Sequence, residues 1–263
     1  MQPLSSLTHQ QLAGVRWVLT DIDDTLTDDG KLTPEAYTAL WQLHRAGIGL
    51  IAVTGRPAGW CDAIARQWPV DAVVGENGAL VFFEHKGKLE RMYHPNAADP
   101  ETVKTRLERL WEAVHSEVPR ARIAKDQFAR MFDLAIDFAE EYPRLTRDEG
   151  ARIHTACIQA GAEAKISSIH VNAWFGRYSK LDMSERYLRE HHGVDIYAPS
   201  YGVAYLGDSP NDSPMFEAVP MSIGVANVRD FTDELDPAPR YVTEQRGGGG
   251  FAEFTQAVLA AVQ

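Results

Sequence analysis

The sequence predicts an α/β protein with a doubly wound, mostly parallel, Rossmann-like sheet, into which an α+β cap is inserted. Short apolar runs at residues 17–19, 48–53 and 72–74 are typical of parallel strands that are buried on both faces. A helix lies between the first two runs, and the Thr-Pro-Glu sequence at residues 33–35 is a strong helix start. Strand, helix and strand in this order are typical of a parallel α/β sheet.

The middle of the chain has a different pattern. A hairpin at residues 79–93 is followed by a helix whose apolar face covers residues 103–114. Polar and apolar residues then alternate at 132–138 and again at 166–175, with a helix at 147–160 between them. Because alternation has the period of a strand with one buried face, we expect each run to be one half-exposed strand of an antiparallel sheet.

After Ser179 the first pattern returns. Ser179 begins a helix that ends near Gly193. The remaining core elements are predicted to be strands at 202–206, 221–225 and 240–242 and a closing helix at 251–262. The glycine run at 247–250 is not followed by Lys-Ser or Lys-Thr, so it is not a nucleotide phosphate loop, and we expect a mobile connection there.

These patterns divide the chain into a core and an inserted cap. We predict that residues 1–84 and 178–263 form the core and that residues 85–177 form the cap. A length of 263 residues fits one large domain or two modest ones.

Composition limits the classes of function. The net charge of −11 argues against nucleic acid or an anionic membrane surface as a partner. Two cysteines in unrelated contexts exclude a disulfide framework and a cysteine-based zinc site. No apolar run reaches the roughly 18 residues of a membrane span, and the first residues lack the pattern of a signal peptide. We therefore expect a cytoplasmic protein, and the sequence predicts no particular oligomeric state.

Asp21, Asp23 and Asp24 directly follow the first buried strand. Ligands of open α/β sheets bind at the carboxyl ends of strands, and adjacent carboxylates in that position favour a functional site. An acidic turn with an Asp helix cap remains an alternative. A calcium loop is excluded, because its sixth and twelfth positions would be Leu26 and Leu32 instead of Gly and Glu.

A second acidic loop, Gly-Asp-Ser-Pro-Asn-Asp at residues 207–212, follows another buried strand. By itself it could be a turn with a helix cap. Together with the first loop, Asp208 and Asp212 would form an oxygen-rich site without a His or Cys cluster. Hard oxygen ligands of this kind favour Mg²⁺.

Two further features could contact an anion. Thr54 ends a third strand, and Arg56 follows it, although Thr-Gly after a strand is also a common turn. Lys180 lies in the first turn of its helix, where the helix dipole disfavours a cation. A solvated surface lysine is the ordinary explanation, but next to acidic loops Lys180 could hold a phosphate or orient a carboxylate.

These features, in this order, resemble the four motifs of the haloacid dehalogenase superfamily of phosphotransferases, and the resemblance covers nearly the whole chain. The matching residues are Asp21, Asp23 and Thr25 for motif one, Thr54 for motif two, Lys180 for motif three, and Gly207, Asp208 and Asp212 for motif four.

Residues 54–56, 76–79 and 207–212 further resemble the Cof-like branch, which includes sugar-phosphate, trehalose-phosphate, sucrose-phosphate and mannosyl-3-phosphoglycerate phosphatases. An α+β cap between motifs two and three is what this branch has. Asp24 stands where many members carry Gly, a departure that occurs among the sugar-phosphate members.

The resemblance implies a phosphatase mechanism. Asp21 would attack the phosphorus of a phosphomonoester, and Asp23 would protonate the leaving oxygen and then activate water. Mg²⁺ would bind the carboxylates of Asp21 and Asp208 and the backbone carbonyl of Asp23, with Asp212 as a further ligand or as an orienting group. The residues expected to neutralise the phosphoryl group together with the metal are Thr54, Lys180 and Asn211.

Substrate choice is expected to depend on the cap and on Arg56, which could meet an anionic substrate. We predict that one face of the strand at 166–175 packs on cap helices through Ile169, Val171, Ala173 and Phe175. The opposite face, predicted to lie over the site, carries Ser168, His170, Asn172 and Trp174. The alternative is that this face is polar only because it is exposed to solvent. Glu76 and Asn77 form a loop that the resemblance places near the cap hinge, or an ordinary turn.

The favoured function is therefore a magnesium-dependent phosphatase acting on a sugar phosphate or a related small phosphorylated metabolite. A phosphomutase of the same fold is an enzymatic alternative. A non-catalytic protein that binds a phosphorylated ligand is a third possibility, but such a protein would be expected to have lost one of the motif carboxylates.

Overall fold

The computed structural model describes residues 1–97, 99–167 and 169–262. Its strands, in chain order, are β1 (Gln2–Pro3), β2 (Trp17–Thr20), β3 (Thr27–Asp28), β4 (Lys31–Leu32), β5 (Gly49–Val53), β6 (Ala72–Gly75), β7 (Leu80–His85), β8 (Lys88–Tyr93), β9 (Arg122–Ile123), β10 (Asp133–Asp137), β11 (Glu163–Ile166), β12 (His170–Trp174), β13 (Val203–Gly207), β14 (Met221–Gly224) and β15 (Tyr241–Val242).

The α-helices are α1 (His9–Ala13), α2 (Pro34–Arg45), α3 (Ala58–Gln67), α4 (Pro100–Glu117), α5 (Arg147–Gln159), α6 (Lys180–Tyr187), α7 (Ser213–Ala218) and α8 (Gly247–Val262). A π-helical turn, Leu188–His192, extends α6 to Gly193.

The larger sheet has nine strands in the order β1-β15-β14-β13-β2-β5-β6-β7-β8. The strands from β1 to β6 in this order are parallel, and β7 and β8 add an antiparallel hairpin at one edge. Successive strand residues point to opposite faces. Val18 of β2 packs with Leu40 and Phe254 of α2 and α8, and Leu19 packs on the other face. Helices on both faces confirm the predicted doubly wound α/β architecture.

The smaller sheet is antiparallel and has the order β11-β12-β10-β9. Helices α4 and α5 cover one of its faces, through Val103, Leu110 and Ile153 against Val171 and Ala173 of β12. These apolar residues form a core separate from the two faces of the large sheet. The predicted α+β character of the middle of the chain is therefore observed.

The division of the chain at residues 84/85 and 177/178 remains a prediction. One part of it needs correction, because β8, which falls in the range 85–177, pairs with β7 in the nine-stranded sheet. The hairpin turn keeps the chain in the core sheet until Tyr93, so the cap begins later than the change of pattern indicated.

The prediction that residues 132–138 form a half-exposed strand is wrong, because every residue of β10 is buried. Its polar face, which carries Asp133 and Asp137, is covered by other side chains. Arg130 donates to Asp133 at 2.9 Å, and Arg122 donates to Asp137 at 3.1 Å. Ion pairing replaces water on this face, so the alternation does not indicate exposure.

The prediction of a single strand at 166–175 is also wrong. A turn separates β11 from β12, and the two strands pair as an antiparallel hairpin. The Ser167 hydroxyl accepts a hydrogen bond from the His170 N–H at 3.0 Å, and the Ser167 N–H donates to the His170 carbonyl at 2.8 Å. A serine that bonds to nearby backbone in this way favours a turn over an extended strand. Ser168 lies outside the described residues.

The glycine run at 247–250 is not a mobile connection. It forms the first turn of α8, and its first two glycines are packed closely against residues 26–33 around β3 and β4. A Cβ at Gly248 would lie 2.2 Å from Oγ1 of Thr33, and a Cβ at Gly250 would lie 2.5 Å from the Gln245 carbonyl oxygen. The glycines are therefore required by close packing of the helix start.

None of the helices within the described parts of the chain combines the length and the apolar character needed to cross a membrane.

Candidate active site

Asp21 and Asp208 follow two neighbouring parallel strands, β2 and β13, at the carboxyl edge of the large sheet. The Asp21 N–H donates to the Leu206 carbonyl at 2.9 Å, so strand β13 fixes the start of the loop that follows β2. One carboxylate oxygen from each of Asp21, Asp208 and Asp212 lies within 4.8 Å of the others. We call these three buried residues the strand-end cluster.

Lys180 connects two members of the strand-end cluster. Its Nζ donates to Oδ1 of Asp21 at 2.7 Å and to Oδ1 of Asp212 at 3.1 Å. Burial opposes its charge, but the carboxylates of Asp21 and Asp212 outweigh burial and raise the pKa of Lys180. The predicted position of Lys180 beside the acidic loops is therefore observed, and its ammonium is held as a cation.

The start of α6, which carries Lys180, is held against the loop after β6. Gly78 in that loop has a φ of +104°, and a Cβ there would lie 1.9 Å from the Ser179 carbonyl oxygen. The Ser179 hydroxyl caps the helix by accepting from the Asp182 N–H at 3.2 Å. The close approach that Gly permits brings Lys180 to the strand ends.

The three carboxylates of the strand-end cluster differ in the number of hydrogen bonds that they accept. Asp212 accepts from Tyr205 at 2.6 Å, from Lys180, and from the backbone N–H of Asp208 at 3.1 Å and of Ser209 at 3.4 Å. Asp21 accepts one hydrogen bond, from Lys180 to Oδ1. Among the described residues, Oδ2 of Asp21 accepts none. One carboxylate is therefore fixed, and the nucleophile candidate has an available oxygen.

Asp208 also has weak partners. Thr25 and Asn227 approach its two oxygens only at 3.4 and 3.5 Å. Burial, together with the negative charge of Asp212 and Asp21, raises the pKa of Asp208 well above its usual range. Burial likewise raises the pKa of Asp21 to about 7, which Lys180 only partly opposes. The cluster has more negative charge than Lys180 neutralises, so its donor set fits a hard divalent cation.

The carboxylate of Asp23 forms a bidentate ion pair with Arg56. The guanidinium donates to the carboxylate from Nε at 3.0 Å and from Nη2 at 2.8 Å. Nη1 of Arg56 faces two acidic residues of the cap, Asp126 at 3.8 Å and Glu140 at 3.5 Å. Arg56, which was predicted to meet an anionic substrate, thus contacts the candidate acid directly.

The two other predicted phosphate-binding residues differ in whether they line the cavity beside Asp21. Asn211 lines the cavity beside Asp21, with Oδ1 accepting from the Ser209 hydroxyl at 3.0 Å. Thr54 is fully buried, and its Oγ1 accepts from the Arg56 N–H at 3.0 Å. In this arrangement Thr54 shapes the loop that carries Arg56 and does not line the cavity.

Three residues of the site loops have left-handed backbone. Asp24 has a φ of 56°, which explains why Gly is suited to that position and why Asp, which tolerates this region, can replace it. Glu76 and Asn77 are consecutive residues with φ of 43° and 56°. Such geometry costs about 1 kcal/mol or more per residue and is held only where surrounding contacts impose it.

The cavity beside the strand-end cluster is small, ≈ 30 Å³, room for about two water molecules. It lies between the core and the smaller sheet. Core residues and cap residues both line it, including Asp21, Asp23 and Lys180 from the core and His170 and Asn172 from the cap. The predicted position of His170 and Asn172 facing the site is therefore observed.

Trp174 does not line this cavity, which corrects its predicted place beside His170 and Asn172. It is buried at the end of β12, stacks on Tyr178 with ring centroids 5.8 Å apart, and lines a neighbouring cavity of ≈ 280 Å³. On the opposite face, Val171, Ala173 and Phe175 pack in the cap core as predicted, whereas Ile169 lines the small cavity.

A second group of buried acids joins core and cap, and sequence reasoning did not predict it. Glu76 accepts backbone hydrogen bonds from Ala58 at 2.9 Å and Met131 at 2.8 Å on Oε1, and from Phe132 at 2.6 Å and Asp133 at 3.2 Å on Oε2.

Arg130 completes this group. It donates to Asp133 at 2.9 Å, to Asp126 at 3.2 Å and to the Gly55 carbonyl at 2.9 Å. We call Glu76, Asp126, Asp133 and Arg130 the junction cluster. The sequence carries no spacing signal for it, because residues 126–133 lie more than 45 positions after Glu76.

Lys165 also lines the small cavity and was not predicted. Its signal was hidden by the misassigned strand at 166–175. Once β11 is known to pair with β12, the register places Lys165 opposite Asn172, and cross-strand partners share a face.

Comparison with known proteins supports the fold. A family model for haloacid dehalogenase-like hydrolases matches residues 18–116. The chain is 24% identical over 249 residues to phosphoglycolate phosphatase 1 of Saccharolobus solfataricus, covering 93% of this chain and 96% of that protein. It is 29% identical over 260 residues to the phosphoglycolate phosphatase of Pyrobaculum neutrophilum, covering 94% of this chain and 97% of that protein.

Solved structures share the architecture. A Thermoplasma acidophilum protein has a TM-score of 0.71 at 17% identity, covering 93% of this chain and 98% of that one. The sucrose-phosphatase of Synechocystis sp. PCC6803 has a TM-score of 0.64 at 15% identity, covering 92% and 97%. At these identities the likeness shows the fold alone. The family match over residues 18–116 and the shared fold show that the chain is similar to the haloacid dehalogenase-like hydrolases.

Proposed function

We propose that the protein is a magnesium-dependent phosphomonoester hydrolase that acts through an aspartyl-phosphate on Asp21. The observation that carries this proposal is the state of the Asp21 carboxylate. Lys180 holds Oδ1 at 2.7 Å, and Oδ2 accepts no hydrogen bond among the described residues. A carboxylate oriented through one oxygen and available through the other is suited to nucleophilic attack.

The strand-end cluster supports the choice of Mg²⁺. Asp21 and Asp208 would hold the ion with their carboxylates, and the resemblance adds the Asp23 backbone carbonyl. Asp212 already accepts four hydrogen bonds, which supports an orienting role for it toward Lys180 and the loop after β13. When bound, the ion would supply positive charge to the transferring phosphoryl group.

Two steps complete the reaction. In the first, Asp21 Oδ2 forms a bond to phosphorus while the ester oxygen leaves and takes a proton from Asp23. In the second, Asp23 accepts a proton from water as the water oxygen attacks the phosphoryl group, which releases inorganic phosphate and restores Asp21. Lys180 and Asn211 would neutralise the phosphoryl oxygens in both steps.

Arg56 would position Asp23 for both roles. Its bidentate contact fixes the orientation of the Asp23 side chain, which acts as the acid in the first step and as the base in the second. A contact of this kind holds the side chain at the leaving oxygen without taking part in bond making.

Small phosphorylated metabolites are the proposed substrates. The cavity beside Asp21 admits only a small group, and the relatives that match along nearly the full chain are named phosphoglycolate phosphatases. Phosphoglycolate is therefore the first compound to test, ahead of the sugar phosphates that the resemblance first indicated.

The test is phosphate release from phosphoglycolate and a panel of sugar phosphates, with Mg²⁺ and with chelator, for the wild type and Asp21→Asn. We expect magnesium-dependent release that Asp21→Asn reduces by at least about 10³-fold. Asp29→Asn, the same change on an exposed acid near the site, is the control and should keep full activity. Activity in Asp21→Asn equal to the wild type would exclude Asp21 as the nucleophile.

A further inference from the structure

Two adjoining cavities lie between core and cap. The small one contains the reacting groups, and the larger one, of ≈ 280 Å³, has room for an organic group. Residues lining both are Asn77, Lys165, Lys180 and Asn211. A substrate whose phosphate lies at Asp21 would therefore extend past Lys180 and Lys165 into the larger space.

Lys165 differs from the other cations that line the small cavity. Arg56 is paired with Asp23, Arg130 with Asp133, and Lys180 with Asp21 and Asp212. Within residues 1–97, 99–167 and 169–262, Lys165 has no ion pair or hydrogen bond from its ammonium group. It is exposed, so a ligand in either cavity can reach it.

The charged side chains that line the larger cavity are Lys165, Lys180 and Glu163. An ammonium can only donate hydrogen bonds, and that of Lys180 is already paired with Asp21 and Asp212. Lys165 is therefore the cation of this wall that is available to a ligand. A carboxylate only accepts hydrogen bonds and carries the opposite charge, so it is a suitable partner for Lys165.

We propose that the larger cavity receives the organic part of the substrate and that Lys165 selects a carboxylate on it. The substrate class is then a phosphorylated short-chain carboxylic acid. This inference rests on the proposed phosphatase function and adds to it the residue that determines specificity. Glu163, two positions before Lys165 on the same strand, opposes binding of a carboxylate.

The experiment compares two substrates that share the phosphate. Phosphoglycolate carries a carboxylate, and ethyl phosphate has a methyl group in its place. The quantity measured is kcat/KM for phosphoglycolate divided by kcat/KM for ethyl phosphate, at saturating Mg²⁺. A charge-assisted hydrogen bond is worth about ten- to hundredfold in this ratio, so Lys165→Met should lower it by that factor.

Three variants sharpen the result. Lys165→Arg keeps the charge and should keep most of the ratio. Glu163→Gln removes the opposing charge and should raise the ratio about two- to fivefold. Lys104→Met, the same change on the exposed outer side of α4, is the matched control and should leave the ratio unchanged.

The outcomes separate this inference from the proposed function. If the wild type hydrolyses these compounds but Lys165→Met lowers both kcat/KM values equally, Lys165 does not select the carboxylate and the inference is overturned. The same holds if only sugar phosphates are hydrolysed. If the wild type releases no phosphate from any compound, the proposed function itself fails, and the inference fails with it.

Discussion

The strand-end cluster and the junction cluster are both groups of buried acids, yet they differ in how their charge is compensated. In the junction cluster, Glu76 accepts four backbone N–H groups, and Asp133 accepts from Arg130 and Asn172. In the strand-end cluster, Lys180 contacts Asp21 and Asp212, and among the described residues the Asp208 carboxylate accepts only two long hydrogen bonds.

Neither burial nor a raised pKa separates the two clusters. Burial and the charge of Asp133 raise the pKa of Glu76 to about 7, and burial raises that of Asp21 to about 7 as well. The difference lies in the donors that surround each carboxylate. A fully bonded group holds two parts of the molecule together, whereas a group with unused oxygens can accept a ligand.

The largest expected effect distinguishes the clusters by activity. Asp208→Asn removes a carboxylate whose hydrogen bonds are long, so we expect catalysis to fall by at least about 10²-fold. The midpoint of urea unfolding without metal should stay the same or rise, because negative charge is removed from a crowded site. Mg²⁺ should raise the melting temperature of the wild type and not that of the variant.

Asp29→Asn is again the control, with no expected change in activity or in the response to Mg²⁺. A large loss of metal-free stability in Asp208→Asn, with activity kept, would show that the strand-end cluster stabilises the fold. The proposed difference in role between the two clusters would then be wrong.

The second-largest expected effect is a loss of folding stability when Glu76 of the junction cluster is replaced. In Glu76→Gln, the new NH₂ group would face two backbone N–H donors, from Phe132 and Asp133 or from Ala58 and Met131. Two buried donors would lose their acceptor, which costs about 2 to 5 kcal/mol of the free energy of unfolding. Urea unfolding measures this loss, and Glu84→Gln, on an exposed position of β7, is the matched control.

If Glu76→Gln unfolds at the same urea concentration as the wild type, the four hydrogen bonds do not stabilise the junction. Unfolding that affects only cap signals, such as the fluorescence of Trp111, would place the loss at the contact between cap and core.

The different origins of the clusters explain what the sequence could predict. Asp21 and Asp208 could be found because each directly follows a run of apolar residues, and parallel strands bring their carboxyl ends to one edge. The sheet, its helices and the motif residues follow from such local patterns. Glu76 could not be assigned a role, because its partners include backbone N–H groups at residues 131–133. Every residue except proline has such a group, so the residue types do not indicate which of them donates.

The errors have the same cause. Alternation at residues 133–137 indicated water on one face, but Arg130 and Arg122 cover that face. The turn at Ser167 is set by a side chain that bonds to backbone three residues away. In the first case ion pairs replace the solvent contact that alternation normally indicates, and in the second a local hydrogen bond favours a turn over a continuous strand.

The smallest expected effect concerns Glu140, a cap residue that contacts both His170 and Arg56. Oε2 of Glu140 contacts Nε2 of His170 at 2.8 Å, and Oε1 accepts from Nη1 of Arg56 at 3.5 Å. The hydrogen bond from His170, with smaller contributions from the charges of His170 and Arg56, lowers the pKa of Glu140 from 4.5 to about 2. The residue thus links the cap to the arginine that grips Asp23.

A lowered pKa means that the folded protein favours the carboxylate more strongly than the unfolded chain does. The contribution to stability is therefore fully present above pH 4.5 and is lost as the pH falls from 4.5 toward about 2. Because Glu140 is partly exposed, the effect stays below about 1 kcal/mol. Melting temperatures of the wild type and Glu140→Gln, measured in chelator from pH 6 downward, should differ most at pH 6 and converge in acid. A difference that grows in acid would mean that the carboxylate does not stabilise the contact, and Arg56 would then be held by Asp23 and Asp126.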